Sequence, residues 1–71
     1  MKYLVVIEKG PTSFGATVPD LPGCVAVAKN RPEVKRLIRE AIHLHVQDRR
    51  DRSDPIPKPG AASEFVDLES V

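Results

Sequence analysis

The sequence is poor in the residues that usually reinforce very small proteins. It has one cysteine, Cys24, among its 71 residues, so no disulfide can form within the chain. Its candidate metal ligands do not cluster at the spacings of a metal site, so we expect neither a metal nor another cofactor. A single domain of residues 1–71 buries only roughly 60% of its unfolded surface and is marginally stable alone. We therefore expect a homo-oligomer, either a dimer or a tetramer.

Long hydrophobic runs are also missing. The apolar stretch at residues 3–7 is far too short to span a membrane, and it ends without a signal-peptide cleavage site. A free thiol without a secretion signal is typical of a reducing compartment. These features predict a cytoplasmic protein with no membrane partner.

An excess of charge of one sign is lacking as well, because the formal net charge is only +1. Residues 29–52 hold eight Lys or Arg against four acids, which gives +4, and residues 53–71 hold one Lys against four acids, which gives −3. DNA-binding domains commonly show a stronger basic excess. The "RRDR" cluster at 49–52 has no interleaved aromatic residues. We expect no direct DNA binding.

Three short segments predict β-strands. Residues 3–8 are apolar on both faces, which predicts a strand covered on both sides. Residues 14–18 alternate between apolar and small or polar side chains, and residues 24–28 form a third apolar run. The short connections between them predict an antiparallel meander.

A capped helix follows the third strand. Asn30 is a good N-cap, Glu33 completes a capping-box-like pair, and Pro32 fits the first turn. Apolar residues then recur at helical spacing over residues 34–44, and the sequence "SDP" at 53–55 ends the helix. Prolines favour an extended connection over residues 54–62, and residues 64–69 predict an acidic last strand.

The order of elements is therefore β-β-β-α-β, an α+β fold. A right-handed crossover through the helix would place the last strand beside and parallel to the first, in the sheet order 3-2-1-4. The helix would cover one face of this sheet. No element remains in the chain to cover the other face, and a second copy is the simplest cover.

The loop "VPDLPGC" at residues 18–24 has two interpretations. Pro22 and Gly23 suit the central positions of a type II turn, and Asp20 suits an Asx turn, so the loop could be only a rigid hairpin connection. Alternatively, its stiffness could present Asp20 and Leu21 to a partner at a low entropic cost. The spacing alone does not separate these interpretations.

The stretch "YLVVIEKGPTSFGATVPDLPGCVAVA", with the following helix and "DPIPKP", resembles the HicB family of antitoxins. The resemblance implies a partial RNase-H-like fold and a partner of the HicA type, a small basic ribonuclease that cleaves mRNA. The sequence departs from the family pattern at residues 28–30, after the third strand. Many family members also carry a C-terminal DNA-binding domain, which we do not expect in residues 1–71.

No arrangement of catalytic residues is evident. His43 and His45 point in roughly opposite directions on a helix, so they cannot share a metal. A nuclease with this fold would need several converging carboxylates, whereas Glu8, Asp20 and Asp67 lie on separate elements. Cys24 fits a small packed residue better than a redox switch. We expect a protein that is not an enzyme.

The resulting hypothesis is an antitoxin that covers the active site of a HicA-like ribonuclease. The candidate toxin contacts are Asp20 and Leu21, followed by Glu8, Glu64 and Asp67, because carboxylates complement a basic RNA-binding surface. One alternative is a stand-alone oligomeric adaptor or small regulator without a toxin. A second alternative is a degenerate RNase-H-like nuclease.

Overall fold

The computed structural model describes residues 1–68 and has three strands followed by one helix. The elements are β1 (Val6–Lys9), β2 (Phe14–Thr17), β3 (Val25–Ala28) and α1 (Arg31–Asp51). The α+β class and the β-β-β-α part of the predicted order are confirmed.

The strands form an antiparallel sheet with the order β1-β2-β3. Ala16 lies at its centre, paired with Ile7 on one side and with Ala26 on the other. β2 is therefore the middle strand and β1 is an edge strand in the described part of the chain. Residues 64–68 form no strand, and Glu69, the last residue of that prediction, lies outside the described residues. The order 3-2-1-4 is not formed by residues 1–68.

Alternation along the strands separates two faces of the sheet. Ala16 points toward α1 and is buried, whereas Val25 and Val27 point away from it and are 59% and 66% exposed. Val6 on β1 is exposed on this second side as well. The described chain thus leaves this face of the sheet uncovered, in agreement with the expectation that no further element covers it, and its cover by a second copy stays a prediction.

The core lies between the sheet and the helix. α1 packs over β2 and β3, which leaves β1 beyond its edge. The buried residues come from β2, the loop at residues 18–24 and α1, and they are Ala16, Val18, Leu21, Cys24, Val34 and Ile38.

The ends of α1 follow the predicted signals. The Asn30 side chain accepts a hydrogen bond from the Glu33 backbone N–H at 2.9 Å. The Glu33 carboxylate pairs with Arg36 at 2.6 Å, and Arg36 also reaches Glu40 at 2.9 Å. Because Glu33 is paired with Arg36, only one half of the capping box forms. Ser53, with a φ of 58°, adopts the left-handed conformation that ends the helix.

Two consecutive turns form the loop at residues 18–24. The Leu21 N–H donates to the Val18 carbonyl at 3.0 Å, and the Cys24 N–H donates to the Leu21 carbonyl at 3.0 Å. Gly23 has a φ of 83°, as the third position of a type II turn requires. The predicted turn over Leu21 to Cys24 is confirmed, and it places Leu21 at the junction of both turns.

We expect Gly23→Ala to lower the free energy of unfolding by about 1 kcal/mol, because a Cβ is strained at positive φ. A Cβ at Gly23 would meet no atom within 4 Å, so the loss is conformational rather than steric. Gly15→Ala is the matched control, since its Cβ would also meet nothing within 4 Å but its φ is not positive. Urea denaturation of both variants checks this, and an equal loss in the two would contradict the conformational explanation.

Candidate functional site

Leu21 lies in the core and not at an exposed loop tip. Its side chain is 0% exposed and belongs to the same buried cluster as Val34 and Ile38. The two turns fold the chain back at Leu21, so its side chain points inward while Pro22 and Gly23 remain outside. The expectation that the loop presents Leu21 to a partner is therefore wrong for this conformation.

Asp20 holds the C-terminal segment of the chain. Its carboxylate Oδ2 accepts hydrogen bonds from the backbone N–H groups of Gly60 at 3.1 Å and Ala61 at 3.0 Å. These bonds connect residues 40 and 41 positions apart, so the carboxylate braces a distant segment and not an Asx turn within its own loop. The stiff loop therefore has two internal roles, since Leu21 fills the core and Asp20 binds the chain that follows the helix.

Two further hydrogen bonds hold the connection after α1. Arg49 Nη1 donates to the Pro55 carbonyl at 3.2 Å, and the Tyr3 hydroxyl donates to the Pro57 carbonyl at 2.5 Å. The proline-rich segment is thus an extended connector fixed along the body of the protein. We call the residues after its last anchor, 62–68, the tail.

The tail is exposed throughout. Its apolar side chains Phe65, Val66 and Leu68 are 108%, 75% and 74% exposed. Glu64 and Asp67, two of the predicted toxin contacts, are exposed beside them. The tail thus carries exposed apolar and acidic residues and does not pack on the body of the protein.

The sheet surface opposite α1 is also free in the described chain, and we call it the open face. Gly15 at its centre carries no side chain, which leaves a shallow depression between the neighbouring strands. Glu8, the remaining predicted contact, lies on this face at β1 and is exposed. The outward residues of the open face are Val6, Glu8, Gly15, Thr17, Val25 and Val27.

A second apolar surface, which was not predicted from the sequence, lies between β1 and α1. This groove has an apolar floor and two basic side chains, and it is lined by Val5, Ile7, Ile38, Ile42, Lys35 and Arg39. It exists because α1 packs over β2 and β3 and not over β1. The apolar character of both faces of residues 3–8, together with the i, i+4 spacing of Lys35 and Arg39, was the available signal.

The surroundings of His43, His45 and Cys24 indicate packing, hydrogen bonding or exposure to water, and not a shared reactive site. His45 is half-buried, and its Nε2 accepts a hydrogen bond from Arg49 Nε at 3.1 Å, whereas His43 is exposed. Burial raises the pKa of the Cys24 thiol, which keeps it protonated and poorly nucleophilic. Within residues 1–68, no cluster of three or more His, Cys, Asp or Glu could hold a metal ion. The described helix is not long and apolar enough to cross a bilayer.

The predicted contact residues thus lie on three parts of the structure. Asp20 and Leu21 share the loop, Glu8 lies on the open face, and Glu64 and Asp67 lie on the tail. With two uncovered apolar surfaces and an exposed tail, the described residues define a small α+β protein suited to binding other macromolecules.

A comparison with protein families agrees with a small α+β binding protein. The family model described as "HicB_like antitoxin of bacterial toxin-antitoxin system" matches residues 3–70. The chain belongs to this family, which indicates an antitoxin role with a toxin as the kind of partner.

Two curated proteins are similar to the chain. A "UPF0150 protein" of Archaeoglobus fulgidus is 36% identical over 72 residues, covering 100% of this chain and 93% of that protein. An "Uncharacterized 14.9 kDa protein in rep-hol intergenic region" of Haemophilus phage HP1 is 27% identical over 66 residues, covering 93% of this chain. The chain spans only 50% of the phage protein's length. No solved structure gives a significant match.

Proposed function

We propose that this chain neutralises a HicA-type ribonuclease by covering the surface with which that toxin binds mRNA. Two observations support the proposal, namely the membership of the HicB-like antitoxin family and the exposed open face. The exposed open face is the main support for the proposal, because Val6, Val25 and Val27 form an apolar surface that is in contact with water in the single chain. Exposed apolar surfaces of this kind commonly mark protein–protein contacts.

The chemistry of the open face suits a basic partner. A surface that binds RNA must be positively charged, because phosphates supply most of the contacts. An interface with such a surface would combine an apolar centre with carboxylates at its rim, which guide the encounter and fix its register. The valines would supply the centre and Glu8 part of the rim. Asp67 and Glu64 on the tail and Asp20 in the loop are further proposed carboxylates.

Leu21 has a different place in this proposal from the one that the loop sequence suggested. Its side chain has no exposed surface with which to contact a toxin. It would act indirectly, by fixing the loop in the conformation that holds Asp20 in place.

Neutralisation by coverage needs no catalytic group in the antitoxin. We accordingly propose a non-enzymatic, partial RNase-H-like domain that acts in the cytoplasm, where mRNA is available. We do not propose direct DNA binding by residues 1–71, because their net charge is only +1.

The test is calorimetric titration of this protein with a HicA-type ribonuclease, sought first in the adjacent gene, together with an RNA-cleavage assay. Val27→Arg would place a cation in the apolar centre, opposite a basic surface. We expect this variant to bind the ribonuclease at least about a hundredfold more weakly and to leave cleavage uninhibited, as for loss of a central contact plus like-charge repulsion.

Leu44→Arg is the matched control. Leu44 is exposed to a similar extent, 72% against 66% for Val27, but lies on the helix away from the open face. We expect Leu44→Arg to retain the affinity of the unsubstituted protein. Equal affinities for the two variants would exclude the open face, and no inhibition by the unsubstituted protein would exclude the proposed function.

A further inference from the structure

The outer edge of β1 is free to pair with an additional strand. In residues 1–68, β1 pairs with β2 alone, so its outer N–H and C=O groups have no strand partner. Edge strands are surfaces on which an additional strand can form. The groove beside this edge adds an apolar floor of Val5, Ile7, Ile38 and Ile42. An added strand with apolar side chains could therefore be both hydrogen-bonded and packed.

The tail has the composition that this groove requires. Lys35 and Arg39 are exposed at the groove, and Glu64 and Asp67 are exposed on the tail. Phe65 is fully exposed to water, and Val66 and Leu68 are about three quarters exposed. A stable monomer rarely exposes such a group of adjacent apolar side chains. The groove and the tail thus match in both apolar character and charge, and both belong to the same chain.

The structure nevertheless keeps the tail away from its own groove. Residues 60 and 61 are bonded to Asp20, in the loop between β2 and β3, whereas the groove lies on the other side of β2. The tail leaves from this anchor with exposed side chains. Its seven residues can extend over about 23 Å, which is enough to pair with a four-residue strand of a neighbouring molecule.

We propose that the tail of one copy forms a strand along β1 of a second copy, in the groove between β1 and α1, and that the second copy returns the same contact. Such reciprocal exchange forms a closed symmetric dimer. It would also create the strand order 3-2-1-4 in the dimer, with the fourth strand supplied by the partner. The missing fourth strand and the expected self-association thus have a single explanation.

Alternation along the added strand assigns its side chains to two faces. Val66 and Leu68 point to the same side as Glu64, and we place this side in the groove, where Glu64 can pair with Lys35 or Arg39. Phe65 and Asp67 then point to the other side, which continues the open face beside Val6 and Glu8. Of the two tail carboxylates, Asp67 thus stays with the toxin contact, whereas Glu64 belongs to the dimer contact. The exchange therefore leaves the open face available to another partner.

Charge reversal tests this dimer. A groove variant, Lys35→Glu with Arg39→Glu, and a tail variant, Glu64→Lys, each place like charges together. Light scattering after size exclusion should show a dimer for the unsubstituted protein. Each variant should dissociate at concentrations at least about tenfold higher, as expected for converting close attractions into repulsions. All three substituted residues are exposed, so the fold should survive.

Mixing the two variants is the decisive measurement. In a reciprocal dimer of one groove variant with one tail variant, both contacts again join opposite charges. We therefore expect the mixture to form heterodimers at concentrations where each variant alone is monomeric. Asp67→Lys is the matched control, because it makes the same charge change on the other side of the strand and should leave dimerisation nearly unchanged.

Val66→Asp gives an independent measurement, because it places a charge against the apolar floor and should abolish the dimer. A monomeric unsubstituted protein, or variants that stay dimeric, would overturn the proposal. So would a mixture that stays monomeric, or equal effects of Glu64→Lys and Asp67→Lys. The groove variant and Val66→Asp change neither the valines nor the proposed carboxylates of the toxin contact, so these two variants can lose dimerisation and keep toxin binding.

Discussion

Replacing Leu21 with alanine is expected to lower the free energy of unfolding by about 2–5 kcal/mol, the usual loss for a fully buried leucine. Leu21 is 0% exposed and lies in a cluster of only six buried residues. The core of this small protein has little other apolar volume to compensate for the cavity. Urea denaturation of the purified variant measures the loss.

Leu44→Ala makes the same chemical change at an exposed site and serves as the control. Leu44 is 72% exposed within α1, so its truncation creates no cavity, and alanine favours the helix at least as well. We expect a change below about 0.5 kcal/mol, as for most surface substitutions. A loss at Leu21 no greater than that at Leu44 would show that the loop does not contribute to the core.

The Leu21 case shows what local sequence signals can and cannot predict. Pro22 and Gly23 fix backbone angles through their own covalent structure, so the type II turn could be predicted from the sequence and is confirmed. The direction of the Leu21 side chain depends instead on a second turn, closed by Val18, and on the space left under α1. That space is a property of the packed chain, so turn chemistry alone could not distinguish an inward leucine from an exposed one.

The helix was predictable for the same local reason, because Asn30 and Ser53 act on neighbouring residues. The last strand was not. Residues 64–68 combine apolar and acidic side chains, but a strand needs a partner for its backbone, and the composition does not identify one. The anchors at Asp20 and Tyr3 connect residues far apart in sequence, and residues 64–68 beyond them form no strand with their own sheet.

The open face and the groove differ in how far each could be predicted from the sequence. The uncovered sheet face could be predicted, because the sequence predicts one helix and no further element to cover a second face of the sheet. The groove beside β1 depends on the lateral position of α1 over β2 and β3. Periodicity indicates which side of a helix is apolar, but it does not indicate which strands that side will cover.

Asp20→Ala is expected to release the segment that leads into the tail. The substitution removes the acceptor of two backbone hydrogen bonds, from Gly60 and Ala61, and bonds to a charged group contribute about 1.5–3 kcal/mol. Asp20 is only half-buried, so water can replace part of this contribution. We therefore expect the free energy of unfolding to fall by about 1–2 kcal/mol. Asp20→Asn keeps a carbonyl acceptor of the same shape and should lose less.

Amide hydrogen exchange separates this release from general destabilisation. In Asp20→Ala, the N–H groups of Gly60 and Ala61 should exchange faster with solvent, while the amides of β2 change only as far as the global stability does. Tyr3→Phe removes the hydrogen bond to the Pro57 carbonyl and loosens the same segment from its other end. Because both side chains hold one segment, the double variant should lose less stability than the sum of the single losses, since either loss alone already frees part of the chain. Unchanged exchange at Gly60 and Ala61 in Asp20→Ala would show that the carboxylate does not hold the connector in solution.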